Sequence, residues 1–321
     1  MKAMVLTAGL GTRLRPLTLE RAKPAIPLLG KPLILTILEK LRALEVKEFR
    51  LNLHTLPETI KRCFDLALEN ISGVSFSYEP QILGTAGGLK ANESFLTDET
   101  FLMVNGDIFF EFDITKVIDF HVRNDSLATL ALWPQKPPYR HTPIKIDSSY
   151  RIHSFPRTGE PSQKDGQAYV FTGITVLSRD IFRLIEPNGF SEIVADVYEP
   201  SIIKGLKICG YPVNGYWNDL GTPASYLATQ KEIFEYSGIS QSRMIDDGVV
   251  VPELQGIGPY VSIGQGSVIE GDCEIQDSIL WEDCCVCRGS RIRRCIVGRG
   301  VCLKGDLENR VITLNGEIPL D

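Results

Sequence analysis

A six-residue repeat near the carboxyl terminus restricts the possible folds more than any other feature of the sequence. Large apolar residues follow one another there at spacings of 6, 6, 6, 6, 5, 6, 5 and 6, with many small residues between them. Helices and ordinary strands do not repeat with this period, whereas a parallel β-helix does. Each repeat then supplies one short strand with its large side chain inward. The repeat residues are Ile257, Ile263, Ile269, Ile275, Trp281, Val286, Ile292, Val297 and Leu303.

The chain before the repeat alternates between short apolar runs and amphipathic stretches. AMVLTA (3–8), FRLNLH (49–54) and TFLMVNGD (100–107) are typical of buried strands, and helical patterns follow Pro32 and Pro57. Strands alternating with helices predict βαβ units and a mainly parallel sheet. Such sheets bind ligands outside the carboxyl ends of their strands, so the loops that follow these runs are the candidate site.

The remaining pattern completes an α/β domain and separates it from the repeat. We predict an α/β domain at residues 1–237, a linker at 238–256, and the repeat with its tail at 257–321. Further strands are predicted at 74–79, 167–177 and 206–213, and further helices at 85–92, 192–204 and 223–237.

Charge and composition exclude several classes of partner. The formal net charge is −6, which disfavours nucleic acid and anionic membranes. Residues 1–36 nevertheless carry a local net charge of +5, which indicates either a small anionic ligand or a solvated basic surface, and charge alone does not decide between them. The amino-terminal run has no secretory pattern and no stretch is apolar enough to span a membrane, so we expect a cytoplasmic protein with reduced thiols.

The cysteines at 284, 285 and 287 invite a zinc interpretation, but their place in the repeat favours packing. Cysteine is small and apolar enough to line a β-helix interior. The four histidines at 54, 121, 141 and 153 lack ligand spacing, so we expect structural or surface roles for them.

The segment GLGTRLRPLTLERAKPAIPLLGKPL (9–33), here called the signature segment, carries most of the chemical information. It lacks the third glycine of a dinucleotide fingerprint and the Gly-Lys-Ser/Thr of a Walker A loop. Gly9 and Gly11 allow positive φ and close approach of a ligand, and successive N–H groups can bind an anion. Arg13 offers a rigid fork of donors for phosphate, and Lys23 a mobile positive charge.

The signature segment resembles that of the sugar-1-phosphate nucleotidylyltransferases. Further segments resemble the same family in matching order: HTLPETI (54–60), LGTAGGL (83–89), VNGDIFF (104–110) and GYWNDLGTPASY (215–226). The repeat resembles the tail of long-form members, in which it is a left-handed β-helix. The resemblance therefore implies a Rossmann-like nucleotidyltransferase domain followed by a short left-handed parallel β-helix.

The resemblance also implies roles for individual residues. The triphosphate is expected at Gly9, Gly11, Thr12 and Arg13; the α-phosphate and the sugar phosphate at Lys23; the base and ribose at Gly84 and Thr85; the sugar at Thr172 and Gly173; and Mg²⁺ between Asp107 and Asp219. Asp196 is a further candidate for contact with a sugar hydroxyl.

The implied reaction joins a nucleoside triphosphate to a sugar 1-phosphate and releases pyrophosphate. The long form favours GTP with mannose- or heptose-type sugars, and UTP or dTTP with glucose 1-phosphate is the alternative. The Glu-Lys pair that many members carry near the sugar is missing from HSFPRTGEP (153–161), where Arg157 and Glu160 are the nearest substitutes. A catalytically weak nucleotide-sugar-binding regulatory subunit therefore stays open. A hexapeptide-repeat acyltransferase is disfavoured, because no histidine lies within the repeat.

The tail has an expected role of its own. A β-helix ends in an open edge that invites pairing or capping. We therefore expect residues 250–305 to mediate homo-oligomer formation or to dock on the catalytic domain. Their deletion is expected to change assembly more than chemistry.

Overall fold

The computed structural model describes all residues except 66–71, 136–142, 156–166, 188, 239–241 and 321. Its α-helices are α1 Leu17–Glu20, α2 Leu33–Ala43, α3 Pro57–Asp65, α4 Gly84–Ala91, α5 Thr115–Asn124, α6 Glu199–Ile203 and α7 Pro223–Ser237. Its strands are β1 Lys2–Leu6, β2 Pro27–Leu28, β3 Lys31–Pro32, β4 Glu48–Leu53, β5 Val74–Tyr78, β6 Thr100–Asn105, β7 Ile108–Glu111, β8 Ala128–Gln135, β9 Ala168–Ser178, β10 Ile208–Pro212, β11 Tyr216–Asp219, β12 Arg243–Ile245, β13 Val261–Ile263, β14 Val268–Ile269, β15 Glu274–Gln276, β16 Ser278–Leu280, β17 Cys285–Val286, β18 Arg291–Val297, β19 Cys302–Leu303, β20 Asp306–Thr313 and β21 Gly316–Pro319.

The chain forms two compact units that are interleaved in sequence. The first unit contains Met1–Gly9, Ile37–Thr55 and Phe64–Asn218. The second unit is made of Leu10–Thr36, Leu56–Cys63 and Asp219–Asp321. Most of the signature segment therefore belongs to the same unit as the repeat. The domain boundaries expected from chain order, at 237 and 257, stay a prediction.

The first unit is built on a seven-stranded sheet in the order β10-β8-β9-β6-β1-β4-β5. Strand β9 is antiparallel to β6 and β8, and the other neighbours are parallel. The predicted mixed α/β fold with a mainly parallel, Rossmann-like sheet is thus confirmed. The strands read as apolar runs because both faces are covered: Ala3, Met4 and Val5 of β1 are all fully buried. A separate two-stranded sheet pairs β7 with β11.

The repeat region of the second unit consists of short parallel strands. Ile263 pairs with Leu280, and Ile279 with Ile296, which places successive partners 17 residues apart. All nine predicted inward residues are buried, and eight of them belong to one apolar core cluster of the repeat region, so the inward orientation read from the period is confirmed for those eight. It is wrong for Trp281, which packs against Arg21 and donates to Tyr226, while the neighbouring Leu280 joins the core cluster. Their packing explains the period, because each large side chain fills the space between strands that are too short to form a core alone.

Strand β12 lies within the predicted linker at 238–256, and its Ile245 pairs in parallel with Ile263. The stack thus begins before residue 257, where the regular spacing of large residues begins. The predicted helix at 192–204 is confirmed, with a π-helical first part, Ile193–Tyr198, followed by α6. The predicted helix at 85–92 is confirmed as α4.

Candidate functional site

The signature segment turns at one left-handed residue. Gly11 has φ 60°, and a Cβ there would lie 2.9 Å from the Thr18 Cγ2 atom. The Thr18 hydroxyl donates to the Gly11 carbonyl at 2.8 Å, which fixes the turn from within. Gly9 has no positive φ, and a Cβ there would meet nothing within 4 Å. The expected positive φ is therefore confirmed for Gly11 and wrong for Gly9, because one left-handed residue suffices for this turn.

The predicted phosphate ligands lie on two 3₁₀ turns of the second unit. Thr12–Leu14 forms the first, with Thr12 and Arg13 exposed to solvent. Lys23–Ala25 forms the second, and Lys23 is 9% exposed. Water screens a charge less at a residue this buried than at the surface.

Gly221 brings two of the predicted residues to one place. A Cβ on Gly221 would lie 3.1 Å from Asp219 Oδ2 and 3.5 Å from Arg13 Nη1. A predicted metal ligand and a predicted triphosphate ligand thus flank the same glycine, although they are far apart in the chain. A carboxylate beside a guanidinium suits a site that must hold a cation and phosphate oxygens together.

LGTAGGL (83–89), here called the base loop, is held in the first unit mainly by main-chain hydrogen bonds. The Ala86 and Gly87 amides both donate to the Ser191 carbonyl, at 2.9 and 3.2 Å. The Ser191 amide donates to the Leu83 carbonyl at 2.9 Å. Gly84 has φ 73°, and a Cβ there would lie 2.5 Å from the Ser191 carbonyl oxygen. Gly84, the first glycine of this loop, is therefore required by sterics and by conformation.

Thr85 and Asp196 fix the segment that faces the base loop. The Thr85 hydroxyl donates to Glu192 Oε2 at 2.9 Å and accepts from the Ile193 amide at 2.7 Å. Asp196 Oδ2 accepts from the Glu192 amide at 2.7 Å and from the Ser191 hydroxyl at 3.2 Å. The base and sugar contacts expected of Thr85 and Asp196 stay predictions; in this structure both side chains connect residues 191–193.

A buried polar chain supports the base loop, and the sequence patterns missed it. Glu79, 2% exposed, accepts from Asn52 Nδ2 at 2.8 Å and from the Leu83 amide at 3.1 Å. Asn52 Oδ1 in turn accepts from the Thr7 amide at 2.8 Å. The chain connects the carboxyl ends of β1, β4 and β5. A polar asparagine inside the apolar run FRLNLH was the available signal, because buried polar groups need partners.

The expected sugar-binding pair lies on β9. The Thr172 side chain is fully buried, and its hydroxyl donates to the Ala131 carbonyl at 2.9 Å. Its carbonyl accepts from Trp217 Nε1 at 2.8 Å. Gly173 has φ 84° and packs against Asn105, whose Nδ2 atom would lie 2.8 Å from an added Cβ. Any sugar contact at these two residues would therefore come from the main chain.

The two predicted metal ligands lie in different units. Asp107 follows β6, in a turn where the Gly106 amide donates to the Leu6 carbonyl at 2.9 Å. Asp219 is the last residue of β11. Their sharing of one ion stays a prediction. Over the described part of the chain, no three or more His, Cys, Asp or Glu residues are grouped so as to hold a metal.

The described histidines and Cys284 are placed by packing and hydrogen bonds. His121 is buried, and its Nδ1 lies 3.0 Å from the Thr129 hydroxyl. His54 Nδ1 lies 2.8 Å from the Glu79 carbonyl, and His153 lies outside the core beside Asp147. Burial raises the pKa of Cys284 to about 12, so it stays a thiol at neutral pH. His141, Arg157 and Glu160 lie outside the described residues.

Comparison with known proteins places the chain among enzymes. The nucleotidyl transferase family model matches residues 2–235. Mannose-1-phosphate guanylyltransferase 1 of Arabidopsis thaliana is 28% identical over 307 residues, covering 92% of this chain and 83% of that protein. A UTP–glucose-1-phosphate uridylyltransferase of Synechocystis is 25% identical, covering 92% and 82%.

Comparison with solved structures supports the same fold. The structure of HddC from Yersinia pseudotuberculosis complexed with GMP-PN has a TM-score of 0.62 at 24% identity, covering 72% of this chain and 99% of that one. No helix in the described ranges has both the length and the apolar character needed to cross a membrane.

Proposed function

Because the chain belongs to the nucleotidyl transferase family and is a sugar-1-phosphate nucleotidyltransferase, we propose that its substrates are GTP and a mannose- or heptose-type sugar 1-phosphate. The products are then a GDP-sugar and pyrophosphate. The preference rests on similarity to a mannose-1-phosphate guanylyltransferase over 92% of the chain, which extends beyond the family match into the repeat. The Synechocystis relative supports UTP and glucose 1-phosphate as the competing pair.

One observation above all supports the proposed roles of these residues in the reaction: Arg13 and Asp219 flank Gly221. Lys23 lies in the signature segment with Arg13. The nucleophile is a phosphate oxygen of the sugar 1-phosphate. The second pKa of a phosphate monoester is about 6, so this oxygen is already anionic at neutral pH. No general base is required. Catalysis then depends on bringing two polyanions into line and neutralising their charge.

Residues of both units have proposed roles in that task. Arg13, with the amides of Gly11 and Thr12, binds the triphosphate, and Lys23 neutralises the α-phosphate and the entering sugar phosphate. Gly84 and Thr85 border the base and ribose, and Thr172 and Gly173 border the sugar through their main chain. Glu79 orients the base loop without contacting substrate.

Asp107 and Asp219 are the proposed ligands of Mg²⁺. Their carboxylate oxygens fit the ion's preference for hard ligands, of which a protein need supply only one or two when phosphates supply the rest. When bound, Mg²⁺ supplies positive charge beside the phosphates. The aspartates themselves fix where that charge lies.

We also propose that the strands from β12 to β20, which pair in parallel, are coils of a left-handed parallel β-helix; β21 pairs antiparallel with β20 and lies outside it. The parallel partners separated by 17 residues and the burial of the nine repeat residues support this proposal. Homo-oligomer formation through this region stays a prediction.

A pyrophosphate-release assay tests the reaction and the substrates together. GTP, UTP, dTTP and ATP are each combined with mannose, glucose and heptose 1-phosphates. We expect the highest kcat/KM for GTP with a mannose- or heptose-type substrate. A maximum at UTP and glucose 1-phosphate would contradict the substrate assignment. Binding without turnover for every pair would instead identify a regulatory subunit.

Mg²⁺ titration of Asp107→Asn, Asp219→Asn and the double variant tests the metal site. Each single variant is expected to raise the Mg²⁺ requirement and lower turnover. The double variant should be little worse than the worse single one, because residues that act as a unit are not additive. Fully additive losses, or an Asp219→Asn protein that loses only thermal stability, would show that the two carboxylates do not share an ion.

A further inference from the structure

Arg21 connects the signature segment to the repeat region by a two-pronged ion pair. Its Nη1 lies 2.9 Å from Glu282 Oε1, and its Nη2 lies 2.6 Å from Glu282 Oε2. Both residues belong to the second unit. Their side chains are only 16% and 31% exposed, so solvent screens this pair less than a surface pair. A planar fork on a carboxylate also fixes orientation, which a single point contact does not.

An aromatic contact holds the same guanidinium from a second side. Arg21 Cζ lies 4.8 Å from the ring centroid of Trp281, which is fully buried. Trp281 Nε1 donates to the Tyr226 hydroxyl at 3.3 Å, and that hydroxyl donates to the Pro27 carbonyl. Trp281 therefore contacts the chain on both sides of Lys23. It contacts Arg21 directly and Pro27 through the Tyr226 hydroxyl.

The neighbours of Arg21 are fixed in the same way. Glu20 Oε1 accepts from the Leu314 amide at 3.1 Å and from Asn315 Nδ2 at 3.3 Å. The Ala22 amide donates to the Thr59 hydroxyl at 3.0 Å. Three consecutive residues immediately before Lys23 are thus each held by a residue distant in sequence. The partners of Glu20 and Arg21 lie in residues 257–321, here called the tail.

The charges of the pair persist at neutral pH. Burial opposes the charged form of Glu282, but the hydrogen bonds and charge of Arg21 outweigh it, so the pKa of Glu282 lies below its usual value. Burial likewise opposes charge on Arg21, and Glu282 outweighs it, so the pKa of Arg21 is raised. Removing one partner leaves the other charge partly buried and uncompensated, which costs more than the pair contributes.

We propose that Arg21 is a positioning residue for Lys23 and that Glu282 and Trp281 of the tail are the residues through which it acts. This inference rests on the proposed role of Lys23 in the reaction. It reverses the expectation from the sequence that loss of the tail affects assembly more than chemistry. Here the tail holds the turn that carries Lys23, so we expect substitutions of Glu282 to change the turnover rate.

Steady-state kinetics of four variants test the proposal. Glu282→Gln removes the charge with little change of shape. Arg21→Ala removes the fork, and Arg21→Lys keeps the charge without it. Arg299→Ala is the matched control, because Arg299 forms an exposed ion pair with Asp283, beside Glu282, at 2.8 Å. Melting temperatures are measured for every variant.

We expect Glu282→Gln and Arg21→Ala to lower kcat at saturating substrate by roughly tenfold to 10²-fold, as small misplacement of a catalytic group does. KM for the nucleotide should change less, since Arg13 and the main-chain donors remain. Arg21→Lys should recover part of the lost kcat, and Arg299→Ala should stay near wild type because exposed pairs contribute little. Equal kcat for Glu282→Gln and Arg299→Ala would overturn the proposal, as would losses of kcat that match the unfolded fraction.

Hydrogen exchange separates this proposal from the proposed function. If the wild-type protein releases no pyrophosphate with any substrate pair, the function is wrong, and exchange still reports on the connection. Amides of residues 22–28 should exchange faster in Glu282→Gln than in wild type or Arg299→Ala. Identical exchange in the three proteins would show that the tail does not position the segment.

Discussion

The signature segment and the base loop are both predicted to contact the nucleotide, yet they are held by different forces. The base loop is fixed mainly by main-chain hydrogen bonds to Ser191 and by glycines that permit close approach, with the Glu79 side chain as one further support. The signature segment is fixed by side chains, chiefly the ion pair of Arg21 with Glu282. Main-chain contacts do not depend on side-chain identity, whereas the ion pair requires two particular residues far apart in sequence. The first arrangement is sensitive to sterics and the second to charge.

The largest expected effect is on kcat, and it follows from Lys23, a charged residue of the signature segment that has no counterpart in the base loop. Lys23→Ala should lower kcat by roughly 10²-fold, as loss of one preorganised electrostatic contact does. Steady-state kinetics and thermal melting are measured together, with Lys23→Met as a variant of similar volume. Normal turnover in either variant would remove Lys23 from the mechanism. Unfolding of Lys23→Ala beside an active Lys23→Met would indicate a packing role.

Glycine substitutions test the steric side of the comparison. Gly84→Ala places a methyl group 2.5 Å from a main-chain oxygen and at positive φ, so we expect a loss of about 3 kcal/mol in the free energy of unfolding. A Cβ at Gly11 would lie 2.9 Å from the Thr18 Cγ2 atom and 3.4 Å from the Lys23 Cβ atom, so Gly11→Ala meets side chains rather than a main-chain oxygen and its loss should be smaller. Denaturant unfolding measures both.

Gly205→Ala is the control for Gly84→Ala. Gly205 has φ 78° with nothing within 4 Å of an added Cβ, so it carries the conformational cost alone. Equal losses for Gly84→Ala and Gly205→Ala would show that the contact with Ser191 is not limiting. The base loop would then be no more rigid than an ordinary turn.

The repeat and the signature segment show how much of the structure could be predicted from the sequence. The period of six identified the buried side of the repeat, because burial follows period directly. The glycines marked the turns, although only Gly11 of the first pair needs a positive φ. The Arg21–Glu282 contact had no signal in the local pattern, since nothing near either residue specifies its partner. The expected division at residues 238–256 likewise followed chain order, whereas compact packing groups residues 10–36 with the tail.

Glu79→Gln tests the buried support of the base loop. The carboxylate accepts from two donors, one on each oxygen, whereas an amide offers one acceptor. Asn52 cannot compensate by turning, because its oxygen already accepts from Thr7. One buried donor is left facing an NH₂ group, which should cost about 2 kcal/mol in the free energy of unfolding.

Glu192→Gln is the matched control for Glu79→Gln. Glu192 accepts from Thr85 through one oxygen, so an amide oxygen can replace it. Denaturant unfolding of both variants gives the comparison. A loss for Glu192→Gln equal to that for Glu79→Gln would contradict the assignment of Glu79 as the support of the loop.

The smallest expected effect is a difference in pH dependence: mild acid should lower the stability of the first unit and not that of the second. Burial lowers the pKa of His121 in the first unit to about 4, against a smaller raising effect of Asp125. The unfolded state therefore binds a proton near pH 6.5 that the folded state does not, and stability falls as the pH decreases from there toward 4. The pKa of Glu282 is lowered, so the ion pair of the second unit stays charged through most of this range.

The expected cost from His121 at pH 5.5, relative to pH 7.5, is about 1 kcal/mol in the free energy of unfolding. His121→Gln should remove that part of the pH dependence while leaving the rest. Amide protection, which is the exchange rate relative to the intrinsic rate at the same pH, locates the effect, since protection of α5 and β8 should be lower at pH 5.5 than at pH 7.5 and that of residues 20–28 should not. Lower protection of residues 20–28 at pH 5.5 would mean that the signature segment depends on a group other than Glu282. A pH dependence unchanged by His121→Gln would show that the histidine is not the sensitive group.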